Sequence, residues 1–420
     1  MLIQFNFKNF KSFKDDTVLD LSATKITEFN NHVINIGEEK ILPIAAIFGA
    51  NASGKSNVHQ AFRYMCNYVI NSFGFGGDNQ DKNNAFIPPT PFLFDNTSKN
   101  DSSSFEVYFI TDENDKYKTY NYGFCVDKQG VKEEWLNSKA KTAKKYKNIF
   151  YRNREEDELI LDGISSKNHE NIRIALENEA LVVSLGAKLK IQCLKKIRDW
   201  FLKHEVADFG NPLENFLLSR FIPEGFDEDE EVRKNVINYF SSFDESIVDF
   251  KVEKITDGEG KEHINVDALH KVIGSDALEA IPLREESAGT LKMFSLYSGM
   301  KSILDNGGIF FVDELNSRLH PLLVRNFLVT FIDSNINKNH AQIIFTTHDT
   351  WSLSNDMLRR DEIWFVEKDK NGASHLYSLV DFQDVDGDKI RKDENYEKNY
   401  LLGKYGAIPE LKTISMCRGK

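Results

Sequence analysis

Gly49-Ala50-Asn51-Ala52-Ser53-Gly54-Lys55-Ser56 has the spacing G-x-x-x-x-G-K-[ST], and its residue types suit one task. Glycines let a backbone fold tightly round phosphate oxygens with successive amides pointing inward, and a following helix adds the partial positive charge of its N-terminus. Lys55 is placed to neutralise β and γ phosphates, and the Ser56 hydroxyl to complete a Mg²⁺ shell. With Gly49, Asn51, Ala52, Ser53, Gly54 and Asn57 they form the expected cradle for ATP and Mg²⁺. Farther on, Ile309-Phe310-Phe311-Val312-Asp313-Glu314 ends an apolar run in two carboxylates. That pattern suits a buried parallel strand whose C-terminal edge meets a ligand crevice. Asp313 is expected to hold Mg²⁺, directly or through water, and Glu314 to take the proton of an attacking water.

Two further positions have less specific signals. Ser287, ahead of Ala288-Gly289-Thr290, reads either as a plain helix N-cap or, with Gly289, as an anion site at a helix start. His348, closing Phe345-Thr346-Thr347-His348, reads either as an ordinary strand-end histidine or as a group within reach of a γ-phosphate.

Elements must place these residues together. An apolar strand Leu42–Phe48 precedes the glycine-bearing loop and a helix follows from Lys55, which is α/β organisation. Ile3–Phe7 and Val18–Leu21 read as short strands, and Phe73–Asp81 as a mobile surface loop. Phe105–Thr111, Lys118–Val126, Val131–Asn137 and Lys147–Asn153 read as an antiparallel meander. Helical periodicity takes over from Glu170 to about Phe243, with the acidic turn Asp227–Glu231 opening a further helix. Strand-like runs at Ile247–Ile255 and His263–Val266 come next. Then follow helix Ala288–Leu304, strand Ile309–Val312, helix Pro321–Ile332, strand Gln342–Thr346, and strands Glu362–Val366 and His375–Leu379. The expected division is an N-terminal half-core 1–90, a β lobe 91–165, a helical insert 166–245 and a C-terminal half-core 246–420, with no long coiled coil.

Composition bounds the function. The chain has 420 residues, 41% of them hydrophobic, enough for a large core. Its longest apolar run, Ile41–Ala50, contains Pro43 and falls far short of the ~20 residues that cross a bilayer. Polar residues interleave the apolar ones at the N-terminus, unlike a secretory signal, so a cytoplasmic protein is expected. Cys66, Cys125, Cys193 and Cys417 lie too far apart in sequence for zinc or redox motifs. A net charge of −12 disfavours whole-molecule attraction to nucleic acid. A local contact stays open at Lys139–Arg154, where Lys139, Lys141, Lys144, Lys145, Lys147, Arg152 and Arg154 accompany Tyr146, Phe150 and Tyr151; a solvated hairpin is the other reading. Asp381, Asp384, Asp386 and Asp388 miss the EF-hand pattern, and too few residues follow His348 for a fused nuclease domain.

The order P-loop, Ser-x-Gly, apolar-Asp-Glu, Ser317-Arg318-Leu319-His320-Pro321 and a late histidine resembles the ATPase heads of the ABC superfamily, in its SMC and RecF-like branch. Phe7-Lys8-Asn9-Phe10-Lys11-Ser12-Phe13 resembles the N-terminal strand motif of that branch. The resemblance implies an ABC-type α/β head in which ATP on the P-loop of one copy is capped by Ser287 and Gly289 of another. Ser317–His320 would be the D-loop, with His320 where transporters carry Asp, and His348 the switch histidine. No glutamine marks a Q-loop: Gln60 falls in the P-loop helix and Gln80 in a loop. The Pro91-Phe92-Leu93-Phe94 to Glu134-Trp135-Leu136 meander, the Ser287-Ala288-Gly289-Thr290 variant, Leu319-His320-Pro321 and the Tyr400–Pro409 tail resemble prokaryotic abortive-infection ATPases of the RloA/AbiL-like group. That resemblance implies a Mg²⁺-dependent ATPase working as a homodimer or higher oligomer in antiphage defence. Its partner would be a nuclease-like, RloB-like or TOPRIM-containing effector. Two rival functions remain: a RecF-like DNA-repair ATPase, and an ATP-binding scaffold that restrains a toxic nuclease partner.

Overall fold

The structure is a computed structural model and describes residues 1–75, 85–112, 117–141, 143–214, 222–223, 225–241, 243–256, 262–383 and 389–409. The chain opens with β1 (Leu2–Lys8) and β2 (Thr17–Asp20), a hairpin of β3 (Ile34–Ile36) and β4 (Glu39–Ile41), then β5 (Ile44–Phe48) and α1 (Lys55–Asn71). Strands β6 (Ser103–Asp112), β7 (Tyr117–Asp127), β8 (Gly130–Ala140), β9 (Lys147–Asn153) and β10 (Glu158–Ile160) follow. Helices α2 (His169–Ala175), α3 (Val182–Lys188) and α4 (Gln192–Leu202) lead to β11 (Glu205–Asp208) and α5 (Glu230–Ser241). Next come β12 (Ile247–Thr256), β13 (Glu262–Lys271), β14 (Leu278–Pro282), α6 (Ala288–Asn306) and β15 (Ile309–Asp313). The described chain ends with α7 (Pro321–Ile332), β16 (Gln342–Thr346), β17 (Ile363–Lys368), β18 (Ser374–Ser378) and α8 (Tyr396–Leu401).

Two sheets carry the architecture. One has the order β10-β9-β8-β7-β6-β1-β2 and is antiparallel throughout. Alternation along its strands sends Phe5, Phe7, Phe105, Phe109 and Phe124 into the core, and leaves Gln4, Asn6, Glu106 and Asn137 on the opposite face. The second has the order β11-β15-β16-β5-β17-β18, parallel except for β18. Every residue of β5, β15 and β16 is buried, as a central parallel strand requires. Ala45, Ile47 and Phe311 pack into a core shared with α1 and the antiparallel sheet, where Phe5 meets Phe62 edge-on at 5.3 Å. Ala46, Phe48, Phe310 and Val312 face the second core, built with α6 and α7. The fold is mixed α/β, and among the described residues there is no long coiled coil.

Three placements differ from the sequence expectation. The stretch 166–245, expected to be helical, contains β11, which pairs in parallel with β15 and extends the core sheet. Glu205-Val206-Ala207-Asp208 is too short and too polar to announce itself; the register with β15 supplies its hydrogen bonds. Strands β1 and β2, expected in the N-terminal half-core 1–90, pair within the antiparallel sheet. Strand β14 had no sequence signal because its residues are exposed or half-buried. Phe73 lies in a short 3₁₀ turn, Ser72–Gly74, while the rest of the expected loop Phe73–Asp81 beyond residue 75, together with Gln80, Asp384, Asp386, Asp388 and Cys417, lies outside the described residues.

Candidate functional site

Strand β5 runs into a loop whose backbone only particular residues tolerate. Gly49 and Gly54 have φ of 157° and 117°, and Ala52 adopts φ 63°. A Cβ on Gly49 would lie 2.5 Å from the Val366 carbonyl oxygen, and one on Gly54 would press on the Ser374 and Ser12 hydroxyls. The loop is braced from outside. Ser374 Oγ donates to the Ser53 carbonyl (2.5 Å) and lies in hydrogen-bond contact with Ser12 Oγ (2.8 Å), and Asn57 Nδ2 donates to Ser12 Oγ (2.7 Å). The Ala50 amide donates to the Ala407 carbonyl at 2.9 Å, so the Tyr400–Pro409 segment also touches the loop.

Inside the loop the donors are free. Helix α1 starts with no side-chain cap. Among the described residues, the amides of Asn51, Ala52, Gly54, Lys55 and Ser56 have no acceptor. The Ser53 hydroxyl is buried without a partner. Lys55, buried, donates through Nζ to the carbonyls of Gly49 (2.8 Å) and Ala50 (3.0 Å). Burial pulls its ammonium below the usual lysine range, and the nearby Asp313 and Glu314 carboxylates oppose that pull. Five unpaired amides, a helix N-terminus and an ammonium form a site for a polyanion. A nucleotide phosphate chain fits that donor set, and Ser56 with Asp313 offers the oxygen ligands that Mg²⁺ prefers.

The acids come from neighbouring strands. Strand β16 lies between β5 and β15, so the P-loop, Asp313 and Thr346 share one sheet edge. Thr346 Oγ1 donates to Asp313 Oδ1 and accepts the Glu314 amide at 2.9 Å. Glu314 begins the turn after β15 with φ 53°, and among the described residues its carboxylate has no hydrogen-bond or ion-pair partner. Asn316 bridges onward: it accepts from Thr347 Oγ1 at 2.9 Å and its Nδ2 faces His348 Nε2 at 3.3 Å. His348 itself is exposed.

Ser287 and Gly289 sit elsewhere. Ser287 caps α6, its Oγ accepting the Thr290 amide at 3.0 Å and pairing with Thr290 Oγ1 at 2.8 Å. Among the described residues it makes no hydrogen bond to residues 49–57. A Cβ on Gly289 would be 3.3 Å from the Arg318 carbonyl oxygen, so the start of α6 adjoins the Ser317–His320 segment. His320 caps α7 through Nδ1, which accepts the Leu322 amide at 3.2 Å.

Several residues here had no sequence signal. Ser12, Ser374, Thr346, Asn316 and Lys292 act through contacts between distant parts of the chain. Asp208 ends β11 opposite Asp313, and burial together with the Asp313 charge raises its pKa. The basic run 139–154 divides in two. Arg152 is buried and donates to the Ala180 and Glu177 carbonyls, and Arg154 pairs with Asp127 at 2.6 Å. Lys139 lies 3.5 Å from Glu39 and over the Tyr146 ring. Lys141, Lys144, Lys145 and Lys147 are exposed and, among the described residues, unpaired. Arg152 and Arg154 are therefore committed to holding the fold and drop out of any nucleic-acid footprint.

Among the described residues no helix is long and apolar enough to cross a membrane. No curated protein matches the chain in sequence. Two solved structures similar to it are the SmcHead bound to the C-winged helix domain of ScpA and an Smc head domain with a coiled coil and joint derived from Pyrococcus yayanosii. The first is 15% identical with a TM-score of 0.41, the second 11% identical with a TM-score of 0.40; each match covers 90% of this chain and 97% of the other. The family model described as "AAA domain, putative AbiEii toxin, Type IV TA system" matches residues 44–354, well over half of the chain and the whole span from β5 to beyond His348. The chain belongs to that AbiEii-like family of P-loop ATPases.

Proposed function

We propose that this protein binds and hydrolyses ATP with Mg²⁺, and that two copies close on the nucleotide. The P-loop amides that have no acceptor among the described residues carry the proposal: those of Gly54, Lys55 and Ser56 belong to buried or half-buried residues, where donors are left so if a ligand supplies the acceptor, and those of Asn51 and Ala52 belong to exposed ones. Gly49, Asn51, Ala52, Ser53, Gly54 and Asn57 shape the cradle, Lys55 holds the β and γ phosphates, and Ser56 and Asp313 hold the metal. Mg²⁺ would neutralise phosphate charge and polarise the terminal phosphoryl group. Glu314, with a carboxylate free of partners, accepts the proton of the attacking water; His348, tied to Asn316, senses the γ-phosphate from the same edge.

Ser287 is exposed and Gly289 half-buried at the start of α6, and among the described residues Ser287 makes no hydrogen bond to residues 49–57 of its own chain, which favours capping of a second copy's nucleotide. ATP then joins the copies and hydrolysis releases them. The family description names an AbiEii toxin and a type IV toxin–antitoxin system, which supports a role in prokaryotic defence; a nuclease-like effector as partner and the cytoplasm as setting belong to the proposal alone. Lys55→Ala should weaken ATP binding and with it turnover, whereas Glu314→Gln should bind ATP and lose turnover; undiminished turnover in either refutes the assignment. A second reading, a DNA-loading repair ATPase, is favoured by the exposed, unpaired Lys141, Lys144, Lys145 and Lys147.

A further inference from the structure

Lys292 is a buried lysine on α6, beside the buried Met293, Phe294, Ser295 and Leu296. Its Nζ donates to three backbone carbonyls: Glu314 at 3.1 Å, Leu315 at 2.8 Å and Ser317 at 2.7 Å. It also lies 4.3 Å from the centre of the Phe209 ring. An ammonium has three protons, and each has an acceptor here. Those carbonyls converge because the turn is bent by left-handed residues at both ends, Glu314 at φ 53° and Arg318 at φ 61°. Without a donor there, three carbonyl dipoles would face one another unpaired. On its other side the turn is fixed by Thr346, whose carbonyl accepts the Leu315 amide at 3.2 Å and whose hydroxyl accepts the Glu314 amide. Among the described residues, Lys292, five residues after Ser287, makes the hydrogen bonds that tie the turn to α6.

We infer that Lys292 is a positioning residue that sets Glu314 from the start of α6, so that engagement of Ser287 by a second copy is felt at the proton-accepting carboxylate. Lys292 can play this part only if the ATP-hydrolysing role proposed above holds. The link is mechanical: the ammonium holds the Glu314 backbone carbonyl and, among the described residues, makes no hydrogen bond to its carboxylate or to residues 49–57. Removing it should leave the P-loop intact and misplace Glu314, with an effect on turnover rather than on binding.

The test measures ATP turnover, ATP affinity and nucleotide-dependent dimer mass for Lys292→Met and Lys292→Arg beside Glu314→Gln. Methionine keeps the length and loses the donors; the guanidinium fork keeps the charge and cannot reach three convergent carbonyls at once. In either variant kcat is expected to fall about tenfold or more while the ATP Kd stays within about twofold and the dimer still forms. Wild-type kcat in both variants, or loss of ATP binding and dimer in step with kcat, overturns the inference, as does failure of both variants to fold, which would make Lys292 a packing residue. Failure of the parent proposal looks different: turnover would then survive in Lys55→Ala and Glu314→Gln themselves.

Discussion

Lys55 shows how a single residue depends on its surroundings. Its ammonium is buried, bonded to the Gly49 and Ala50 carbonyls, and held in its charged form by Asp313 and Glu314 against the pull of desolvation. Replacing it with alanine removes a cation from among the free amides of the loop. ATP affinity is expected to fall by more than about tenfold, read by fluorescent-nucleotide titration, because charge-assisted phosphate contacts are worth more than neutral ones. Replacing Glu314 with glutamine should leave affinity unchanged and lower kcat by about 10² or more, the scale of losing a general base. Residues such as Lys55, Ser56, Asp313 and Glu314 were legible because their spacing along the chain is itself the signal. Ser12, Ser374, Asn316 and Lys292 were not. Each is an ordinary serine, asparagine or lysine in sequence, and its part comes from a neighbour hundreds or tens of residues away.

At the scale of elements, β5, α1, β15, α7 and β16 were readable because each is either a continuous apolar run or a periodic one. Strand β11 was not, being four residues with acids at both ends, and it holds its place by pairing with β15. The P-loop tests how tightly an element is fitted. Gly54 has φ 117° and two hydroxyls where a Cβ would go, so Gly54→Ala should destabilise the fold by roughly 1–3 kcal/mol, seen as a lower Tm, and weaken ATP binding. A second test concerns the joint between β8 and α3. Glu134 is fully buried and accepts the Val182 and Val183 amides at 2.6 and 3.2 Å and the Tyr122 hydroxyl at 3.0 Å. Burial outweighs those hydrogen bonds and raises its pKa to about 7. The folded protein therefore binds a proton that the unfolded chain releases from about pH 4.5, and this group makes stability decline as pH rises from there to about 7. Denaturant titrations across that window should show the decline, and Glu134→Gln should flatten its share of it.

For the whole molecule, the net charge of −12 and the exposed Lys141, Lys144, Lys145 and Lys147, unpaired among the described residues, pull in opposite directions. If that patch meets a nucleic acid, binding should weaken steeply with salt and disappear on charge reversal at Lys144 and Lys145; affinity that ignores both changes leaves the patch a solvated hairpin. Neither outcome alters the central claim, which is that ATP clamps two copies together through the P-loop of one and the α6 start of the other. Glu314→Gln should trap that state. Its mass in solution with Mg²⁺ and ATP, measured by light scattering, is therefore the most direct test. The expected result is a particle of twice the 48.3 kDa chain mass that reverts to single chains when Ser287→Arg is added. A 48.3 kDa particle with ATP bound would contradict the account.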